Sequence, residues 1–387
     1  MKILFAADIS LNYMGEKEWD QEAMIMARTA QEFRNADFSV VNLENVLGCR
    51  ENYTPVIKTG PNLCSPDASV AYLDVLSPTV VGLANNHAGD YGDEALFHTM
   101  ELLRKKGYQV IGAGENRKAA YKPAILERNG ETVWVIAVCE NEFGTAGKDT
   151  AGSAGYNLTC LKEVIRSAQH SGAKPIIYFH GGVEYDPFPS PGKKELYRLF
   201  VDLGAAAVIA MHTHCPQGYE IYEGCPIVYS MGNFFFPAKW DCHPSWNLGY
   251  MVLLDVNRQG ITMETIPYSF STEDHTILEG ERKHAFQQYM QELLAPLDDD
   301  DRLEELFYGW CVIGGLRQNL EYAKYEPSMR EGDPDQVKRE TRIVKNLFSC
   351  EAHHEVIRQT LKMIFDNRCE KYDEEIAEIE RLQNIVI

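Results

Sequence analysis

Over roughly the first 270 residues, apolar positions fall in short unbroken runs, and several runs stop at a residue able to carry chemistry. The first, Lys2-Ile-Leu-Phe-Ala-Ala-Asp8, has the pattern of a strand covered on both faces whose carboxyl end opens onto a site. A stretch of helical period follows at about 21–34. Residues 38–44, 79–85 and 109–112 then read as strands, with a helix over 94–106. Strands alternating with helices predict a mostly parallel central sheet with helices on its faces.

Asn129-Gly130, between the apolar runs 124–128 and 132–139, predicts a hairpin, because this pair supplies the positive φ angles of a tight primed turn. Residues 175–180 and 206–212 read as two further buried strands separated by a helix around 193–203. From 219 to 268 the strands become short and alternating, with turns at Glu223-Gly224 and Gln259-Gly260. An antiparallel half should therefore complete the sheet or pack a second one against it. After about Ser271, Glu, Gln, Leu, Lys and Arg at helical spacing predict helices over 285–294, 302–324, 335–348 and 353–382, broken near Pro296, Pro327 and Gly332-Asp333-Pro334. The expected organisation is an α/β domain over 1–271 and an all-helical domain over 272–387. Leu306, Phe307, Trp310, Val312 and Leu316 give the tail buried faces, so it packs on the first domain, covers its crevice or joins copies into a homo-oligomer.

Length agrees with two units, since 387 residues exceed the roughly 250–300 at which a single core stops growing. A formal net charge of −20 excludes a general surface for nucleic acid or anionic lipid, both of which need clustered Lys and Arg. An anionic substrate would then require local positive charge, for which bound cations are the obvious source. The run Asp298 to Asp301 reads as a solvated turn between helices. The ten cysteines, from Cys49 to Cys369, form no C-x-x-C pair, which points to reduced thiols in a reducing compartment. Ile3 to Ala7 is too short for a signal-peptide core, and no apolar run approaches the roughly 20 residues of a bilayer span, so a cytoplasmic protein without membrane insertion is expected.

Five places put metal-capable side chains at or just past a strand's end: Asp8, Glu44, Asn86-His87, His180 and His212-Thr213-His214. The crevice of an open parallel sheet lies outside those ends, so residues distant in sequence should converge there. The i, i+2 spacing of His212 and His214 lets both imidazoles reach one ion or adjacent ions. Asp8 and Glu44 add hard oxygens, and Glu44 is the candidate bridge between two cations. Nitrogen and oxygen donors without thiolate suit Mn²⁺, Fe or Zn²⁺, and Cys215 reads as a bystander. Among their neighbours Asp90 could hold His87. Asn85, Glu184, Tyr185, Gln217 and Asn233 are the candidate substrate contacts.

Val41-Asn-Leu-Glu-Asn45, Ala84-Asn-Asn-His-Ala-Gly-Asp-Tyr-Gly92, His180-Gly-Gly-Val-Glu-Tyr185, Met211-His-Thr-His-Cys-Pro-Gln217 and Ile227-Val-Tyr-Ser-Met-Gly-Asn-Phe234 resemble the ordered motifs of the CapA family. That family is associated with bacterial capsule and poly-gamma-glutamate synthesis and is similar in fold to calcineurin-like metallophosphoesterases. The resemblance runs from residue 1 to about 270. It implies a four-layer α/β/β/α sandwich, here with a C-terminal helical appendage. It also implies Asp8 as the first metal-binding aspartate, Glu44 as the bridging acid and Asn86 as a ligand. His87 would be the acid that protonates a leaving group, and His180, His212 and His214 would complete the metal set. Two positions depart from the phosphoesterase pattern: Ser10 stands where Asp-x-His would place a histidine, and the bridging acid is glutamate rather than aspartate.

The resulting expectation is a protein with two divalent metal ions that hydrolyses a phosphate ester or related anionic ester, small or polymeric, by a metal-bound hydroxide, with His87 and Asp90 catalytic. The alternatives are a non-catalytic accessory factor in capsular polymer synthesis or export, and a binding module whose metal site has degraded around Ser10.

Overall fold

The buried apolar runs assemble into two sheets that lie face to face. The computed structural model describes residues 1–12, 19–48, 52–238, 242–320 and 333–387. The chain begins the first sheet with β1 (Lys2–Ile9), β2 (Phe38–Leu43), β3 (Val80–Gly82) and β4 (Gln109–Ile111). It builds the second with β5 (Ala124–Arg128), β6 (Glu131–Cys139), β7 (Lys174–His180), β8 (Ala207–Met211), β9 (Tyr219–Tyr222) and β10 (Cys225–Val228). It then returns to the first with β11 (Asn233–Phe235), β12 (Leu248–Asn257), β13 (Gly260–Phe270) and β14 (His275–Ile277). The first sheet runs β14-β13-β12-β1-β2-β3-β4, with β11 paired to the end of β1, and the second runs β9-β10-β8-β7-β6-β5. In each, the central strands are parallel and an antiparallel part sits at one edge or both.

Parallel strands buried on both faces explain the continuous apolar runs. Between the sheets the Phe5 and Tyr178 rings lie 5.8 Å apart, and the Tyr178 hydroxyl donates to the Ala6 carbonyl at 2.5 Å. Helix α1 (Gly92–Lys105) crosses from β3 to β4, while α2 (Leu158–His170) and α3 (Pro191–Asp202) connect β6, β7 and β8 on the other sheet. Asn157 caps α2 and Ser190 caps α3, the latter with Pro191 in its first turn. The layers are thus α/β/β/α, as the sequence implied. The hairpin at Asn129-Gly130 has the two positive φ angles of its turn, 53° and 78°.

The tail continues with α4 (Gly280–Leu294), α5 (Asp300–Trp310), a π-helical stretch over Cys311–Asn319, α6 (Pro334–Ser349), α7 (Glu351–Phe365) and α8 (Asp373–Gln383). It packs on the sandwich: Leu306, Phe307 and Trp310 belong to the same apolar core as the sheets. Several expectations change here. The stretch at 21–34 is broken into Trp19–Glu22, a 3-10 turn over Ala23–Met26 and Ala30–Asn35, with the Thr29 hydroxyl turned to His275 rather than capping the last piece. The helix expected over 302–324 gives way to π geometry after Trp310, and the part of it within 321–332, like Pro327, lies outside the described residues. The one expected over 353–382 is two helices, because Asn367 takes a positive φ of 53° after α7. Asp298 to Asp301 is more than a solvated turn, since Asp299 caps α5 and Asp300 pairs with the buried Lys194 at 2.7 Å. The first sheet also runs past residue 271, through β14. Among the described residues no helix is long and apolar enough to cross a membrane.

Candidate metal centre

The two sheets present the carboxyl ends of β1, β2, β3, β7 and β8 to one place. Asp8 lies one residue before the end of β1 and follows a register shift between Phe5 and Asp8, a bulge of the kind that re-aims a side chain at a site. Its carboxylate is fully buried, accepting from Asn42 Nδ2 at 2.7 Å and from the His212 backbone N–H at 3.0 Å. That second bond ties the first sheet to the second at the site itself.

Glu44 follows β2, and its backbone N–H donates to the Ile9 carbonyl at 2.8 Å. His180 closes β7, with Nε2 3.4 Å from Glu44 Oε1 and 3.5 Å from Asp8 Oδ1. Burial pushes the His180 imidazole down to about 3, so these approaches join a neutral ring to carboxylates rather than forming ion pairs. Just beyond β8, His212 and His214 both take positive φ, 105° and 58°. Non-glycine residues held there store backbone strain, which collects at functional sites. The rings of His180 and His212 lie 4.4 Å apart.

The donor atoms form overlapping groups: Glu44 with His180 and His212, Asp8 with Glu44 and His214, and Glu184 with His212 and His214. Glu44 belongs to two of them, the position of a bridging carboxylate. Both Glu44 oxygens, His180 Nε2, His212 Nδ1 and Asn86 Oδ1 are buried with no hydrogen-bond partner. Unsatisfied polar atoms are costly in an interior, and those of Glu44, His180 and His212 belong to one group that needs a shared partner, with Asn86 on the cavity wall. A divalent cation fits them in charge and donor type. Burial pushes Glu44 up to about 7, and burial with the Glu44 charge does the same to Asp8. A cation would restore both to the charged form.

His214 is set by its support. Asn233 Nδ2 donates to the Trp246 carbonyl at 3.2 Å, which leaves Oδ1 to accept from His214 Nδ1 at 2.8 Å and frees His214 Nε2 as a lone pair. Asn233 is thus turned to His214 and to buried backbone rather than to the cavity wall. Two other candidate substrate contacts are also engaged behind the wall: Asn85 Nδ2 donates to the Leu43 carbonyl at 2.9 Å, and Gln217 Nε2 to the Asp186 carbonyl at 2.8 Å. Glu184 and Tyr185 do line the cavity, of about 380 Å³, together with Asn86, His87 and His214.

His87 Nδ1 lies 2.6 Å from Asp90 Oδ2, and its Nε2 faces Glu44 at 3.9 Å. Burial works against the Asp90 charge, but His87 and Lys58 hold its carboxyl below the usual range. Lys58, Glu142 and His353 are neighbours of the cluster that the sequence reading missed: Lys58 is on a loop and His353 on the tail, but Glu142 stands three residues past the end of β6, as His214 does past β8, and the strand-end pattern could have found it. Lys58 forms a buried ion pair with Asp90 and approaches His87 Nδ1 at 3.2 Å. Glu142 meets His212 Nε2 at 3.3 Å, and His353 of α7 stands 3.9 Å from Glu142. Burial opposes charge on both members of the His212–Glu142 pair. Their mutual hydrogen bond and attraction nevertheless carry His212 up to about 10 and hold Glu142 well below its usual range. Burial pushes the Cys215 thiol up, which leaves it protonated and unsuited to a cation, while Ser10 is buried with its hydroxyl unpartnered.

Fold and site together define a two-sheet α/β protein with a cluster of carboxylates and histidines at its strand ends whose donor atoms could hold a metal ion. The chain belongs to the bacterial capsule synthesis protein PGA_cap family, whose model matches residues 2–238. It is 29% identical over 241 residues to the PGA biosynthesis protein CapA of Bacillus subtilis (strain 168), covering 61% of this chain and 63% of that protein. To the capsule biosynthesis protein CapA of Bacillus anthracis it is 29% identical over 215 residues, covering 54% of this chain and 52% of that one. The chain thus spans about half to two thirds of these relatives' own length. Among solved structures, a 5'-nucleotidase precursor from Thermus thermophilus aligns with a TM-score of 0.42 at 13% identity, over 77% of this chain and 59% of that one.

Proposed function

We propose that the chain is a metal-dependent hydrolase that cleaves a phosphate ester or a related anionic ester in the cytoplasm. Asp8, Glu44, Asn86, His180, His212 and His214 would hold a pair of divalent cations, with Mn, Fe or Zn suited to the donor set. The observation that supports this reading is the meeting of buried, unpartnered donor atoms from Glu44, His180 and His212, with the orphaned Asn86 amide oxygen on the cavity wall. Bound there, the cations would lower the pKa of water toward neutrality and draw negative charge off the ester oxygens. His87, fixed through Nδ1 by Asp90, turns Nε2 into the cavity, where it can give a proton to a leaving oxygen. Lys58 balances the Asp90 charge, so that Asp90 orients His87 without adding a free anion to the cavity. Tyr185 and Trp246, stacked at 6.0 Å, make an aromatic wall beside His214.

The purified chain with added Mn²⁺ should release phosphate from an aryl phosphate. His87→Ala should lower kcat by roughly 10²–10⁴-fold, the usual contribution of a general acid, and His212→Ala should lower it at least as far. Unchanged rates in both variants would remove this mechanism. The names of the Bacillus relatives favour a second reading, an accessory role in making an anionic polymer. A surface-associated fraction after cell fractionation, with no ester turned over, would select it.

A further inference from the structure

The Glu142 carboxylate is divided between the metal-capable cluster and the helical tail. Its Oε1 lies 3.3 Å from His212 Nε2, and its Oε2 lies 3.9 Å from His353 Nε2 of α7. The side chain is 7% exposed, and a carboxylate so buried depends on the groups that answer its charge. The other nitrogen of the same imidazole, His212 Nδ1, is buried without a partner, and the ring shares a donor group with Glu44 and His180. An N–H at Nε2 turned to Glu142 leaves Nδ1 its lone pair, the form in which an imidazole binds a cation.

The first turn of α7 fixes where Glu142 stands. Glu140 accepts from the Ala352 N–H at 3.1 Å, one of the donors that the first turn of a helix cannot satisfy within itself. Asn141 donates its backbone N–H to Glu351 at 3.0 Å and its side-chain amide to the same carboxylate at 2.7 Å. Glu142 then meets His353. Three consecutive residues after β6 are thus gripped by the three that open α7, and a shift of that helix has to carry Glu142 with it.

Building on the reading of the cluster as a place for cations, we infer that Glu142 is a positioning residue for His212 as a metal ligand, and that α7 holds it there, so that the tail tunes the affinity of the centre without supplying a ligand. A carboxylate behind a ligating imidazole fixes the tautomer and orientation of the ring and raises its basicity. Here that carboxylate is tied to a helix more than 100 residues further along the chain than His212.

The affinity of the full chain for Mn²⁺, read by calorimetry, tests this. Glu142→Ala should raise the Kd roughly 10–100-fold, the usual cost of removing such a partner. Glu142→Gln should recover most of that loss, because its amide oxygen still accepts from the His212 Nε2–H, whereas a carboxylate that bound the ion itself would not be replaced in this way. Glu351→Ala and His353→Ala should weaken binding several-fold, and they carry the test should Glu142→Ala fail to fold. His354→Ala, exposed on the same turn, should leave the affinity unchanged. Wild-type affinity in Glu142→Ala, a Glu142→Gln variant as weak as Glu142→Ala, tail variants indistinguishable from His354→Ala, or no Mn²⁺ bound by the wild type would overturn the inference. The hydrolase reading fails in a different way, with this order of affinities kept while no aryl phosphate is turned over.

Discussion

Glu44 and His275 show how differently burial acts on single side chains. Glu44 is fully buried with neither oxygen satisfied, and burial pushes it up to about 7. Such a carboxylate needs a cation to stay charged at neutral pH. His275 is equally buried but satisfied: Nε2 donates to the Phe234 carbonyl at 2.9 Å, and Nδ1 accepts from the Thr29 hydroxyl at 2.8 Å. The ring is therefore neutral, and burial pushes it down to about 4. The unfolded chain takes up this proton near the ordinary value of 6.5, the native protein only near 4. The stabilising effect is thus complete above pH 6.5 and is lost as pH falls from there toward 4. The loss should reach about 3 kcal/mol, at roughly 1.4 kcal/mol for each pH unit separating the two values. Urea midpoints of wild type and His275→Gln between about pH 4 and 7.5 check it: the variant's deficit should shrink as the pH drops. A constant deficit would contradict the assignment.

At the scale of elements, the continuous apolar runs of parallel strands ended where the chemistry begins. Asp8, His180 and the His212–His214 pair could be found because a buried strand has to finish where polar groups are tolerated. The rest was hidden for physical reasons. Lys58 sits on a loop with no period, and which charge it meets depends on tertiary packing; Glu142, three residues past β6 as His214 is past β8, is the exception that the same pattern could have found. Asn85, Gln217 and Asn233 lie within the motifs, yet their amides serve buried backbone or His214, a distinction that only packing makes. In the tail, helical spacing was readable, and so were the breaks at Pro296 and at Asp333-Pro334, but the one after α7 was not, since Asn367 gives no stronger signal than any other asparagine.

The tail's anchor is also invisible in sequence. Glu140 takes an ion pair from the buried Lys193 and accepts from the backbone N–H groups of Ala352 and Gly182, each at 3.1 Å. Glu355 of α7 accepts from Ser190 at 2.5 Å and from the Gly192 N–H at 2.9 Å, at the start of α3. Removing one partner of a buried pair strands the other, so Glu140→Ala should cost about 3–5 kcal/mol, whereas the double change Glu140→Leu with Lys193→Met should recover part of it. Denaturant unfolding measures both. A loss below about 1 kcal/mol for Glu140→Ala, the scale of an exposed pair, would mean the pair does not anchor α7.

For the whole molecule, the family match ends at residue 238, yet the cavity is closed by helices far beyond it. The cluster lies within the matched residues, and helices of the tail line the cavity beside it. A cation bound only by the native state also links the site to global stability. Mn²⁺ at roughly 100 times its Kd should add about 2.7 kcal/mol, and a chelator should take that away.

The most direct test of the proposed cluster is the metal content of the protein as purified, measured by elemental analysis beside Glu44→Gln and His180→Ala. The expected result is one to two equivalents of Mn, Fe or Zn in the wild type, falling well below one in both variants while the fold, followed by circular dichroism, is kept. Wild-type protein that takes up no stoichiometric divalent metal even after incubation with these ions, or variants that retain it in full, would contradict the account.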